Sequence, residues 1–142
     1  MTSLSIGPIT LANPVLLAPM SGVTDAPFRR IVASLGAGLV VSEMTACAAL
    51  AGSGRAAECR MARRRIADHG DGPHVVQLAG CEAQWMAEGA RLAQDAGADV
   101  IDINMGCPAR HVTGGQSGSA LMRDVPHALT LIEAVVQAVR CR

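Results

Sequence analysis

The sequence predicts an α/β protein assembled from parallel βα units. Four short apolar runs, at 15–18, 39–44, 74–79 and 100–104, alternate with segments of helical periodicity. Their starts lie about 24 to 35 residues apart, the spacing that right-handed βαβ crossovers require. The runs are nearly continuous in apolar residues, as strands covered on both faces of a parallel sheet are. Two junctions also repeat, Gly36–Met44 and Gly97–Met105. In each, a helix-ending glycine, an apolar strand and a terminal polar residue recur, so one supersecondary unit is reused.

Taken in order, Met1 to Asn13 reads as a lead-in with a turn at Gly7-Pro8. The first strand, Val15–Ala18, is closed by Pro19. Thr24 or Asp25 caps the next helix, with Pro27 in its first turn, where a missing N–H costs little. In that helix Phe28, Ile31, Val32 and Leu35 follow helical spacing and are expected to face inward, leaving Arg29 and Arg30 outward. Leu39–Met44 is the second strand. Thr45 to Asp71 is the least regular part, with Arg63-Arg64-Arg65 read as a solvated helix face and Gly70–Pro73 as a turn. His74–Ala79 is the third strand. A helix over 83–96 places Met86, Ala90 and Ala93 on one stripe. The fourth strand, 100–104, runs into Gly106-Cys107-Pro108, and Pro108 stops any ladder. A short turn over Ser119–Arg123 precedes a last helix, 125–139, with Leu129, Ile132, Val136 and Val139 expected inward.

Composition narrows the class. The chain has 142 residues, half of them hydrophobic, which suits a single domain. With one Trp, one Phe and no Tyr, its core must be aliphatic and rich in alanine. Zero net charge gives no global attraction to nucleic acid or anionic membrane. All 12 basic residues are arginine, so this chain supplies no lysine chemistry. Cys47, Cys59, Cys81, Cys107 and Cys141 show no CxxC pair and no metal-ligand spacing. That pattern predicts a reducing, cytoplasmic setting and no bound metal. There is no signal-peptide pattern, and no apolar run approaches the roughly 20 residues of a membrane span.

In a parallel sheet the four strand ends share one rim. They carry Pro19-Met20-Ser21, Glu43-Met44-Thr45, Gln77-Leu78-Ala79 and Asn104-Met105-Gly106-Cys107. This rim offers soft apolar atoms, two amides and a thiol, with no strong base beside the thiol. Such a lining suits a flat, neutral, hydrogen-bonding ring with a thiol acid next to it better than it suits a hydrolase. The blander alternatives stand beside it: Cys107 as a small buried residue of a tight loop, Gln77 capping its own loop, Met20 in a core, and Glu43 accepting loop N–H groups. His111 is the imidazole nearest to Cys107 in sequence. Gly114, Gly115 and Gly118 allow close approach to an anion but lack the spacing of a nucleotide fingerprint. Four βα units make either a small open sheet or half of a (β/α)₈ barrel, which typically takes about 250 residues.

Several strings taken together resemble one family. Ala18-Pro-Met-Ser-Gly-Val-Thr-Asp-Ala-Pro-Phe-Arg29 looks like the opening motif of the tRNA-dihydrouridine synthases. Gly38-Leu-Val-Val-Ser-Glu-Met44, Val75-Val-Gln-Leu78, Asp102-Ile-Asn-Met-Gly-Cys-Pro108 and Gly118-Ser-Ala-Leu-Met122 match the motifs that follow, in order. The resemblance implies a TIM (β/α)₈ barrel that binds FMN, is reduced by NADPH, and converts uridine in tRNA to 5,6-dihydrouridine. It implies Cys107 as proton donor, Asn104 as an orienting group, and Pro19, Met20, Ser21 and Gln77 as flavin contacts. Ser21 stands where the family usually has alanine. The family's flavin-contacting lysine, a later histidine and the phosphate-binding loops have no counterpart within these residues. Residues 1–142 are therefore expected to be the truncated first half of the barrel, without the second half or the helical tRNA-binding domain. Such a half-barrel is expected to self-associate through its open edges and to bind FMN weakly. The alternatives are another FMN-dependent barrel oxidoreductase, similar to the dihydroorotate dehydrogenases, and a non-catalytic half-barrel.

Overall fold

The structure, a computed structural model, describes residues 4–67, 70 and 72–140. Asp71, within the predicted turn at 70–73, lies outside the described residues, as do Cys141 and Arg142. The chain begins with a hairpin, β1 (Leu4–Ile6) antiparallel to β2 (Ile9–Leu11). The expected Gly7-Pro8 turn joins them, but the segment is a folded hairpin rather than a lead-in. There follow β3 (Leu16–Leu17), α1 (Ala26–Ser34), β4 (Leu39–Val40), β5 (Thr45–Ala46), α2 (Cys47–Leu50) and α3 (Ala56–Ala67). The remainder comprises β6 (Val75–Ala79), α4 (Ala83–Asp95), β7 (Val100–Ile103), α5 (Arg110–Thr113), a 3₁₀ turn (Gly118–Arg123) and α6 (Val125–Ala138).

The strands after the hairpin are parallel, as expected. β3 pairs with β4, β5 with β6, and β6 with β7. Val41 bridges to Val75, so the four predicted strands lie side by side in chain order. The second is not continuous over 39–44. It breaks at Ser42–Met44 and resumes as β5, where the Ser42 hydroxyl accepts from Gln77 N of β6 and donates to Glu43 O, while the Glu43 carboxylate turns to the Gly22 N–H of the loop after β3. The segment at 45–71 contains two helices rather than irregular chain.

Alternation along β6 and β7 separates two faces. Val76, Leu78, Ile101 and Ile103 pack with Met86, Ala90 and Ala93 of α4 and with Leu131 and Val135 of α6. On the opposite face, at the amino ends of the strands, Leu39, Val41, Val75 and Val100 pack under Ile6, Ile9 and Leu11 of the hairpin. The carboxyl half of that face is left to Gln77, Asp102 and Asn104.

Two helix faces differ from expectation. In α1, Arg29 is buried at 8% exposure, while Phe28, Ile31 and Leu35 are exposed, Leu35 at 81%. The Arg29 guanidinium donates to Thr24 O at 2.7 Å, and a satisfied buried charge outcompetes an apolar stripe that no described element covers. In α6, Ala128, Leu131 and Val135 face α4, while Leu129 and Val136 are exposed. This helix is apolar nearly all round, so periodicity alone does not select the buried stripe. The N-cap of α1 is Asp25, which accepts from Phe28 N at 3.0 Å. Thr24 instead closes the preceding loop on Met20. No helix among the described residues is long and apolar enough to cross a membrane.

Candidate functional site

Strand register builds the site. Gln77 of β6 stands opposite Asp102 of β7, and Asn104 follows two residues later on the same side. The Gln77 Nε2 group donates to Asp102 Oδ2 at 2.6 Å. The Asn104 Nδ2 group donates to Gln77 Oε1 at 2.9 Å. Asn104 Oδ1 then accepts from the backbone N–H of Cys107 at 3.0 Å and of Gly106 at 3.3 Å. Each amide is oriented by both neighbours, since flipping either would set like groups against each other. The relay runs from a carboxylate through two amides to the backbone of the thiol.

A second set of bonds places the loop after β3 on the same rim. Met20 N donates to Thr24 Oγ1 at 2.9 Å, and the N–H groups of Val23 and Thr24 both return to Met20 O at 3.0 Å. The Gly22 N–H donates to the Glu43 carboxylate, which also pairs with Arg65 at 3.5 Å. Arg65 further donates to Met44 O at 3.2 Å. Glu43 thus accepts a loop N–H, the plainer of its two readings. The arginine cluster is not wholly a solvated face either, since Arg65 ties α3 to the rim while Arg63 and Arg64 stay exposed.

These loops enclose a cavity of about 530 Å³ at the carboxyl ends of the strands. Pro19, Ser21, Gln77, Asn104 and Cys107 line it together, with Met44 and Met105 also in the lining. Met20 does not line it: its backbone is spent on the Thr24 turn, and its side chain is 41% exposed. Asp102, not singled out from the sequence, is the one charged group in the lining among the described residues. Its signal was present, because Asp102 and Asn104 alternate with Ile101 and Ile103, as one polar face of a strand does. His111 lines a neighbouring cavity rather than this one.

The thiols divide by environment. Cys107 is half-buried at the cavity wall. Cys47 is fully buried with its Sγ 3.4 Å from Met86 Sδ, and burial pushes its pKa up to about 12. Gly118 is a glycine for packing rather than for an anion. It has φ +60°, and a Cβ there would lie 2.6 Å from Cys107 O. Among the described residues no group of three or more His, Cys, Asp or Glu could hold a metal ion.

The family model for dihydrouridine synthases matches residues 16–142. A probable tRNA-dihydrouridine synthase of Rhizobium leguminosarum bv. phaseoli is 57% identical over 131 residues, which are 92% of this chain and 40% of that protein. A second, of Rhodobacter capsulatus, is 56% identical over 138 residues, 96% of this chain and 41% of its own length. The tRNA-dihydrouridine synthase B of Pseudomonas syringae pv. tomato is 48% identical over 141 residues, 98% of this chain and 40% of that protein. The chain therefore spans about 40% of the length of these curated relatives.

Proposed function

Because the chain belongs to the dihydrouridine synthase family, we propose that it takes part in reducing uridine in tRNA to 5,6-dihydrouridine. The observation that carries this reading is the shared cavity: a thiol, two oriented amides and a proline edge around one opening. Its volume of about 530 Å³ falls within the range of small-molecule sites, roughly 300–1,000 Å³.

The donor set suits the ring of FMN. Gln77 keeps one N–H beyond its bond to Asp102, enough for the polar edge of a flavin, and Pro19 and Ser21 would border the ring. Among the described residues no basic side chain lines the cavity, and the FMN phosphate would be held by other groups. FMN held beside Gln77, Pro19 and Ser21 and reduced by NADPH would supply the hydride equivalent needed at C6 of the uracil. Cys107 holds a proton at Sγ and delivers it to C5, completing saturation of the C5–C6 bond, and solvent returns a proton to the sulfur. Asn104 fixes the turn that carries this sulfur. The target base must leave its stack to enter the cavity, as for other enzymes acting on a base.

Within this reading, residues 1–142 form the first half of a TIM barrel, supported by the parallel order β3, β4, β6, β7 and the hairpin under its amino end. β3 and β7 each pair with one strand among the described residues, and those edges are where a second half or a second copy would add. The test is direct. Incubated with FMN, NADPH and tRNA, the chain yields dihydrouridine detectable by mass spectrometry of the digested tRNA. Absence of product from soluble, folded chain under those conditions contradicts the proposal for this chain.

A further inference from the structure

Three cavities follow one another along the rim at the carboxyl ends of the strands. The second, of about 360 Å³, shares Met44 with the Cys107 cavity. It shares Arg65 with a third, of about 390 Å³, which Arg30 and Arg64 also line. The rim thus runs from a thiol, through a largely apolar hollow, to an arginine-rich groove.

The middle hollow has the features of a site. The ends of β5 and β6 form its floor with Ala46 and Ala79, and Trp85 of α4 lines it. Ser117 lines it too, and that residue is only 8% exposed. Its hydroxyl has no hydrogen-bond partner among the described residues. A buried hydroxyl left without a partner is costly, so an occupant that bonds it gains what the protein alone forgoes. Nearby, burial and then the Glu82 charge push the Cys81 thiol up, so it stays neutral. The wall is therefore largely apolar, with Trp85 as its broad aromatic surface, and its polar groups are the Ser117 hydroxyl together with Arg65, Glu82 and His111. That combination suits a planar, neutral ring with a polar edge, the chemistry of a nucleobase.

We propose that this hollow receives an unpaired base neighbouring the target uridine, stacked on Trp85 and bonded by Ser117 Oγ, with the connecting phosphate toward Arg65. The proposal rests on the reading of the Cys107 cavity as the site for a flipped uridine in RNA. It adds a second base-binding position, so that two adjacent nucleotides are held splayed along one rim. The phosphate side follows from the third cavity, where Arg29, Arg30, Arg64 and Arg65 outnumber Asp25 and Glu43, the one of the three whose described lining carries an excess of positive groups.

The protein carries its own reporter. Trp85 is the single tryptophan and there is no tyrosine, so near-ultraviolet-excited fluorescence reports this position alone. The experiment titrates the full chain with a short, fluorescein-labelled, uridine-containing single-stranded RNA, following label anisotropy and Trp85 fluorescence in parallel samples. The expected result is quenching that saturates together with the anisotropy. Ser117→Ala, which removes only the hydroxyl, weakens binding on the order of fivefold. Trp85→Leu weakens it by about tenfold or more, whereas Trp85→Phe largely restores it. Circular dichroism separates a loss of stacking from a loss of fold in the leucine variant. Saturating anisotropy with unchanged Trp85 fluorescence, and unchanged affinity in Ser117→Ala, overturns the second base position while leaving the dihydrouridine reading standing. No RNA binding by anisotropy overturns both.

Discussion

The two faces of the same pair of strands do different work. On one, Val76, Leu78, Ile101 and Ile103 meet α4 and α6 in a dry layer that also holds Cys47 and Met86. On the other, the positions between them carry Gln77, Asp102 and Asn104, which spend their hydrogen bonds on one another and on the Cys107 turn. Because side chains alternate along a strand, stability and chemistry are written into the same few residues without competing for one position. What holds the fold is apolar and helix-facing. What is offered to a ligand is polar and rim-facing.

That contrast can be broken by substitution. The largest loss is expected on the covered face, where Leu78→Ala or Leu131→Ala empties a fully buried site and costs about 2–5 kcal/mol by denaturant unfolding. A loss no greater than that of a surface substitution would mean that the helix layer is not the core.

Next comes the pH dependence of Cys47. Its native pKa is raised to about 12, so between the ordinary thiol value near 9 and about 12 the native state retains a proton that the unfolded chain has lost. Stability is then fully present below about 9 and falls as pH rises through that window, by about 1.4 kcal/mol per pH unit. The chain has no lysine or tyrosine, so thiols dominate titration there. Cys47→Ala removes most of that slope while lowering stability at neutral pH. An unchanged slope in urea titrations would place the buried thiol elsewhere.

Changes on the rim face are smaller in stability. Gln77→Leu leaves Asp102 and Asn104 each short of one partner and costs about 1–3 kcal/mol. Gly118→Ala sets a Cβ against Cys107 O at a positive φ, costs about 1–3 kcal/mol, and shifts the thiol's turn. The smallest effect belongs to the uncovered stripe of α1, where Leu35→Ser stays within about 0.5 kcal/mol. A large loss there would show that this stripe is covered in solution.

The sequence makes the strand order, the parallel sheet and the gathering of Pro19, Gln77, Asn104 and Cys107 at one rim legible, because βα spacing and strand-end position are local properties. The burial of Arg29 is not legible, since it depends on the carbonyl of Thr24 being turned toward it. Nor is the buried stripe of α6, where an all-round apolar helix leaves the choice to its partner α4. The break at Ser42–Met44 is hidden for a similar reason: Glu43 is drawn to Gly22 and Arg65, contacts reached only after folding. Asp102 lay in plain view within a motif, but its role needed the register that sets it opposite Gln77.

The proposed proton donor is the rim thiol of Cys107 rather than the core thiol of Cys47, and this assignment is open to direct test. It is tested by measuring dihydrouridine in tRNA treated with FMN, NADPH and either Cys107→Ala or Cys47→Ala protein, at equal folded concentration. Cys107→Ala is expected to lose product by at least about a hundredfold, the scale of a missing proton donor, while Cys47→Ala keeps most of it. Equal product from the two variants would contradict the assignment.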